Sequence, residues 1–120
     1  MIRATALLAC LAAPAAAEPW DCLFTVECLA AEGCEEIGLE VQVIAADHAG
    51  ELFLSTVTGD SPVARLTDPG AMPATYASAG RDGLAELLTI EGDITAILTV
   101  HIFDGTAAAI TYFGTCEEMT

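Results

Sequence analysis

Residues 94–116 read ITAILTVHIFDGTAAAITYFGTC, two runs of alternating character about a single Asp-Gly turn. Apolar residues recur at every second position from Ile94 to Ile102, the period of a half-buried strand and not of a helix. Ala107 to Thr115 is a second such run. A two-residue Asp104-Gly105 loop sets Val100 opposite Ala109 and Leu98 opposite Thr111, pairing an apolar face with a mixed one. A three-residue loop, Phe103-Asp104-Gly105, sets Val100 opposite Ala108 and Leu98 opposite Ile110, with glycine in the left-handed position that loop uses. Burial fixes register, so the three-residue loop is expected. Ile94, Ala96, Leu98, Val100 and Ile102 then share an inner face with Ala108, Ile110, Tyr112 and Cys116.

The same period runs toward the N-terminus. Leu84 to Ile90 is a third run, separated by Glu91-Gly92-Asp93. Trp20, Cys22, Phe24, Val26 and Cys28 alternate with Asp21, Leu23, Thr25 and Glu27, and Ile37, Leu39, Val41 and Val43 alternate with Gly38, Glu40 and Gln42. Glu51 to Val57, a short stretch through Pro62 to Leu66, and Ala74 to Ala79 complete the set. Turns fall at Asp47 to Gly50, Thr58 to Asp60, Asp68 to Pro73 and Gly80 to Gly83. No long helical period intervenes. About eight short strands with turns at this spacing predict an all-β antiparallel meander, closed as a small barrel in preference to a sandwich.

The chain begins as an exported precursor would. Arg3 precedes the apolar run Ala4 to Ala13, Pro14 breaks it, and Ala15-Ala16-Ala17 offers small residues to a signal peptidase. Residues 1–17 are therefore read as a cleaved signal peptide and residues 18–120 as one domain. Leu7-Leu8-Ala9-Cys10 loosely matches a lipobox, which makes lipidation at Cys10 the minor alternative. No later run reaches the roughly 18 apolar residues of a transmembrane helix. The expected location is periplasmic or secreted.

Cys22, Cys28, Cys34 and Cys116 remain in the domain, an even number that reads as a disulfide framework. On a strand rising ~3.3 Å per residue, Cys22 and Cys28 stand roughly 20 Å apart, too far for a bond. Cys28–Cys34 closing a short loop and Cys22–Cys116 joining the domain's two ends are expected. The absence of any C-x-x-C pair argues against zinc.

Beyond residue 17 the chain carries Arg65 and Arg81 against 18 acids, a formal charge of −16, and no lysine. Such a surface repels nucleic acid and anionic membranes and attracts cationic partners. Catalysis is not expected: His48 and His101 lack clustered partners, the thiols are committed to disulfides, and neither a G-x-S-x-G nor a phosphate loop is present. The acid pairs Glu35-Glu36, Glu91/Asp93 and Glu117-Glu118 match no calcium loop, so neither metal nor cofactor is expected. Tyr76, Ser78 and Arg81, on the weakest strand and the loop after it, form the candidate contact loop. Trp20 reads as a strand residue or barrel plug.

The leader, the eight-strand reading, and cysteines in the first and last strands together resemble the periplasmic inhibitors of C-type lysozyme. Ser78-Ala79-Gly80-Arg81 resembles their serine-bearing loop, while the lysine of those inhibitors has no counterpart here. The resemblance sets a class: an exported, non-catalytic binding module, inhibitor-like toward a cationic protein. The alternative is a structural or accessory envelope protein with no dedicated ligand.

Overall fold

A computed structural model describes residues 18–30, 32–45, 50–80 and 82–119. The leader at 1–17 with Cys10, and His48 and Arg81, lie outside the described residues. Eight antiparallel strands follow in chain order: β1 (Trp20–Leu29), β2 (Gly33–Ala45), β3 (Leu52–Thr56), β4 (Gly59–Arg65), β5 (Ala74–Ser78), β6 (Leu84–Ile90), β7 (Thr95–Phe103) and β8 (Ala107–Glu118). Each strand pairs with the next, and β8 pairs with β1, so the meander closes as a barrel.

Cys22 sits directly opposite Cys116 on the closing β1–β8 ladder, and a disulfide joins them. Cys28 faces Cys34 across the β1–β2 hairpin and bonds to it. Both pairings are those the sequence predicts. Disulfides of this kind belong to an oxidising compartment outside the cytosol. No helix among the described residues is long and apolar enough to cross a membrane.

The core gathers toward one end of the barrel. Trp20, Cys22, Phe24, Val41, Val43, Leu54, Ala74, Tyr76, Leu88, Ile90, Ala96, Leu98 and Cys116 are essentially inaccessible to solvent. Most lie near the first residues of the odd strands and the last residues of the even ones. That end also holds the chain's entry at Glu18 and Pro19. The opposite end, ringed by the β1–β2, β3–β4, β5–β6 and β7–β8 turns, is less filled.

Three local expectations require correction. In the β7–β8 hairpin Phe103 pairs with Ala107, Val100 with Ile110 and Leu98 with Tyr112, so the three-residue loop is Asp104-Gly105-Thr106. Gly105 does take a positive φ of 80°. A slip of two residues keeps every side chain on its face, so burial alone does not discriminate between the two registers. Second, the ladders on both sides of β1 shift between Phe24 and Val26. This bulge at Thr25 reverses the alternation beyond it. Val26 pairs with the outward, 41% exposed Phe113, while Glu27 pairs with Tyr112, whose ring packs 6.3 Å from that of the buried Phe24. Gly114 permits the bulge, because a Cβ there would fall 2.1 Å from the Leu23 carbonyl oxygen. Third, Ile94 precedes β7 in a turn, at φ 69° and 48% exposed, and does not join the inner face.

Candidate functional site

The two ends of the barrel differ in chemistry. At the filled end the Tyr76 hydroxyl is surrounded by three groups from distant parts of the chain. It donates to the Glu18 carboxylate, and accepts from Trp20 Nε1 at 3.0 Å and from an Arg65 Nη at 2.9 Å. A phenol has one proton to give and two lone pairs, so its capacity is filled. Arg65 also pairs with Glu18 through Nε, at 3.0 Å, and through Nη2, and its guanidinium lies 5.1 Å from the Tyr76 ring centroid. The Arg65 and Glu18 side chains are only 9% and 14% exposed.

Burial pushes the Tyr76 hydroxyl well above the ordinary phenol value, and its bond to Glu18 adds to the shift. Burial raises Glu18 as well. The hydrogen bonds from Tyr76, from its own backbone N–H and from Arg65, together with the Arg65 charge, outweigh that effect and hold the carboxyl below its usual range. This end is a plug: a satisfied ionic network over an apolar core.

The other end carries a groove of about 740 Å³, lined among others by Leu84, Ile102, Phe103, Ala107, Ala108 and Ala109. Phe103 is 63% exposed on its rim. Gly83 shapes it: the Phe103 N–H donates to the Gly83 carbonyl at 2.7 Å, and a Cβ at Gly83 would meet the Phe103 oxygen at 2.5 Å. The β5–β6 turn is thereby tied to the β7–β8 hairpin. Exposed acids stand beside the lining residues in the chain: Glu32 near Ala30, Asp82 between Gly80 and Gly83, and Asp104 after Phe103.

Beside the groove lies a smaller chamber of about 290 Å³, walled by Ser61, Pro62, Ser78, Ala79, Gly80, Asp82, Leu84 and Glu86. It exists because β5 is short. β4 begins at Gly59 and β6 at Leu84, but the β4–β5 ladder runs only from the Val63–Ser78 pair, leaving Ser61 and Pro62 without a partner on that side. Where Ser78 would pair with Glu86, its hydroxyl instead accepts the Glu86 N–H at 2.8 Å. Leu88 and Ile90 are buried, so Glu86 shares their inner face. Burial pushes the Glu86 carboxyl above its ordinary value, partly opposed by a hydrogen bond from Ser61. Its Oε1 is buried and receives no hydrogen bond from any described residue.

The residues singled out from the sequence fall on both sides of this picture. Tyr76 is 1% exposed and belongs to the plug, not to a contact loop. Ser78 sits on β5 with its hydroxyl engaged by Glu86, at the chamber wall. Trp20 is 2% exposed and caps the core. His101 is exposed and lines the groove from the outer face of β7. Among the described residues no three His, Cys, Asp or Glu side chains converge to hold a metal ion. The sequence reading missed Glu86, although a signal existed: it is the one acid on the face shared by Leu84, Leu88 and Ile90. It also missed the plug, whose members lie 47 to 58 positions apart along the chain from Glu18 and Trp20.

No family model, curated protein or solved structure matches this chain.

Proposed function

We propose that the protein is an exported, non-catalytic binding module, periplasmic or secreted, whose open barrel end receives a cationic protein partner. The observation that carries this reading is the contrast between the ends. One end closes on itself through Glu18, Arg65, Tyr76 and Trp20. The other presents an apolar groove with an exposed Phe103, flanked by Glu32, Asp82 and Asp104. An apolar floor with a rim of one charge suits a partner of opposite charge: the field steers the encounter and the apolar area holds the complex.

The same charge supports a binding role outside the cytosol over a catalytic one. Neither described end assembles a nucleophile with a base, and the plug's ionisable groups are saturated by one another. The test is binding to a basic protein, such as a C-type lysozyme, followed by calorimetry at about 20 mM and about 300 mM salt, where screening differs severalfold in range. Binding that weakens steeply with salt, and that Phe103→Ala weakens further, is expected. A protein that ignores basic partners at the lower salt, or binds them equally well without Phe103, refutes the reading and leaves the accessory role in its place.

A further inference from the structure

We infer that the chamber beside the groove is a subsite for a single alkylammonium or alkylguanidinium group, the side chain of a lysine or arginine carried by the cationic partner, with Glu86 as its counter-ion. This inference rests on the binding reading above and names the chemistry by which the open end recognises its partner.

The geometry comes first. Groove and chamber are neighbours across Gly80 and Leu84, which line both. A group entering from the groove passes an apolar edge at Leu84 before it reaches polar walls at Ser61, Ser78 and Glu86. That order matches a lysine or arginine side chain, an aliphatic stem ending in a cation. A carboxylate-bearing ligand would meet Glu86 and Asp82 instead, and a wholly apolar one would leave the inner walls unpaired.

Glu86 carries the second part of the case. Its backbone N–H is held by Ser78, and Ser61 stands near enough to its carboxyl to oppose part of the effect of burial, with both residues at the chamber wall. Oε1 is buried without a donor among the described residues. A buried carboxylate oxygen lacking a donor is costly, and a turn of the carboxylate toward the chamber lets one charged N–H remove that cost while adding a charge-assisted bond. The raised pKa of this carboxyl has the same physical origin, since no cation among the described residues offsets its burial. Arg65 is engaged at the opposite end.

The test uses the oxidised protein and small analogues of the two side chains. Amide NMR spectra are followed during titration with n-butylammonium, n-propylguanidinium, butyrate and 1-butanol at constant ionic strength. The two cations are expected to shift the Ser61, Ser78, Leu84 and Glu86 amides saturably, in the millimolar range. Butyrate and butanol are expected to bind at least tenfold more weakly at those positions. Glu86→Gln, which preserves shape, should remove at least tenfold of the cation affinity while leaving the spectrum otherwise folded. If that variant does not fold, the comparison of butylammonium with butanol on the wild-type protein still decides the matter.

Equal binding of the charged and neutral probes overturns the subsite, as does cation binding unaffected by Glu86→Gln. Cation binding seen only after Arg81→Ala assigns the chamber to the chain's own guanidinium and also overturns it. Failure here is distinct from failure of the docking reading. A protein that still captures basic partners in a salt-dependent, Phe103-dependent way, yet gives no probe response, keeps its groove and loses its chamber.

Discussion

Replacing Tyr76 by phenylalanine deletes one oxygen and three hydrogen bonds at the plugged end. The Trp20 indole N–H, on a residue 2% exposed, loses its acceptor at 3.0 Å, and water has little access to replace it. A buried donor left unpaired costs about 1–3 kcal/mol. Glu18 loses a donated O–H, and a hydrogen bond to a charged group contributes roughly 1.5–3 kcal/mol. Arg65 loses least, because it keeps Glu18. These terms are not additive, so about 3 kcal/mol is the expected loss, with ring packing unchanged. Urea unfolding of the oxidised protein measures it. The interpretation further requires that the cost depend on Glu18. In a Glu18→Gln background the same change should cost about 1–1.5 kcal/mol less, because the bond to a charged acceptor is replaced by one to a neutral amide oxygen. Acid should have a parallel effect. The folded pKa of Glu18 is depressed, so its contribution is complete above the unfolded value of 4.5 and is lost as pH falls through the lower folded value. The cost of Tyr76→Phe should therefore be largest near neutrality and shrink as pH falls below 4.5 through the lower folded value. A loss below about 1 kcal/mol, or one that stays equally large in the Glu18→Gln background and in acid, refutes the network as a coupled unit.

Removing Cys22–Cys116 by paired alanine substitution should cost about 4–5 kcal/mol, and removing Cys28–Cys34 about 2.2, because the first closes a loop of 94 positions and the second one of 6; equal midpoints in urea would count against the chain-entropy account. Gly114→Ala should prevent or severely weaken folding, since its Cβ collides with the Leu23 and Phe24 backbone, whereas Gly38→Ala, on an equally central strand with nothing within 4 Å, should change the melting temperature little. Ile94→Gly should raise stability by about 1 kcal/mol by relieving a β-branched residue at φ 69°, and a destabilised variant would show that its half-exposed side chain contributes more than the backbone loses.

The barrel was legible because its signals are local. Strand period, turn residues and the Cys28–Cys34 spacing each act within a dozen positions, and with the remaining cysteines placed in the first and last strands they leave few closures open. What was misread depends on relations the period does not carry. A hairpin slipped by two residues buries the same side chains, so the Asp104-Gly105-Thr106 loop is set by the ladder as a whole and not by the facing apolar residues. The bulge at Thr25 has no local marker; its trace is the glycine at 114, far along the chain and across the sheet. Ile94 has strand composition, and only the preceding Glu91-Gly92-Asp93 turn, whose Glu91 carbonyl accepts the Ile94 N–H at 2.9 Å, withdraws it from the ladder. Of the residues that read from the sequence as one contact loop, Tyr76 lies at the far end because of the way the barrel turns β5, while Ser78 stands at the chamber wall.

That placement changes what the charge balance means. Beyond the leader the sequence offers two cations, and the plug takes one: Arg65 is 9% exposed and held by Glu18 and Tyr76. Its charge is cancelled locally, together with one acid, so the exposed acids of the described residues keep their negative character without it. A field of one sign acts over a Debye length, about 8 Å at physiological salt, and carries no positional information of its own. The groove and chamber act only at contact. Under the proposed binding role, attraction and selection would fall to different residues: scattered exposed acids would raise the rate of encounter, while Phe103, Leu84 and Glu86 would decide whether it persists. Neutralising rim acids such as Asp82 or Asp104 should lower the association rate and flatten its salt dependence. Changing Phe103 or Glu86 should raise the dissociation rate and leave the salt dependence of association as it was. A partner whose on-rate and off-rate responded together to both kinds of change would show instead that the rim acids are themselves contacts.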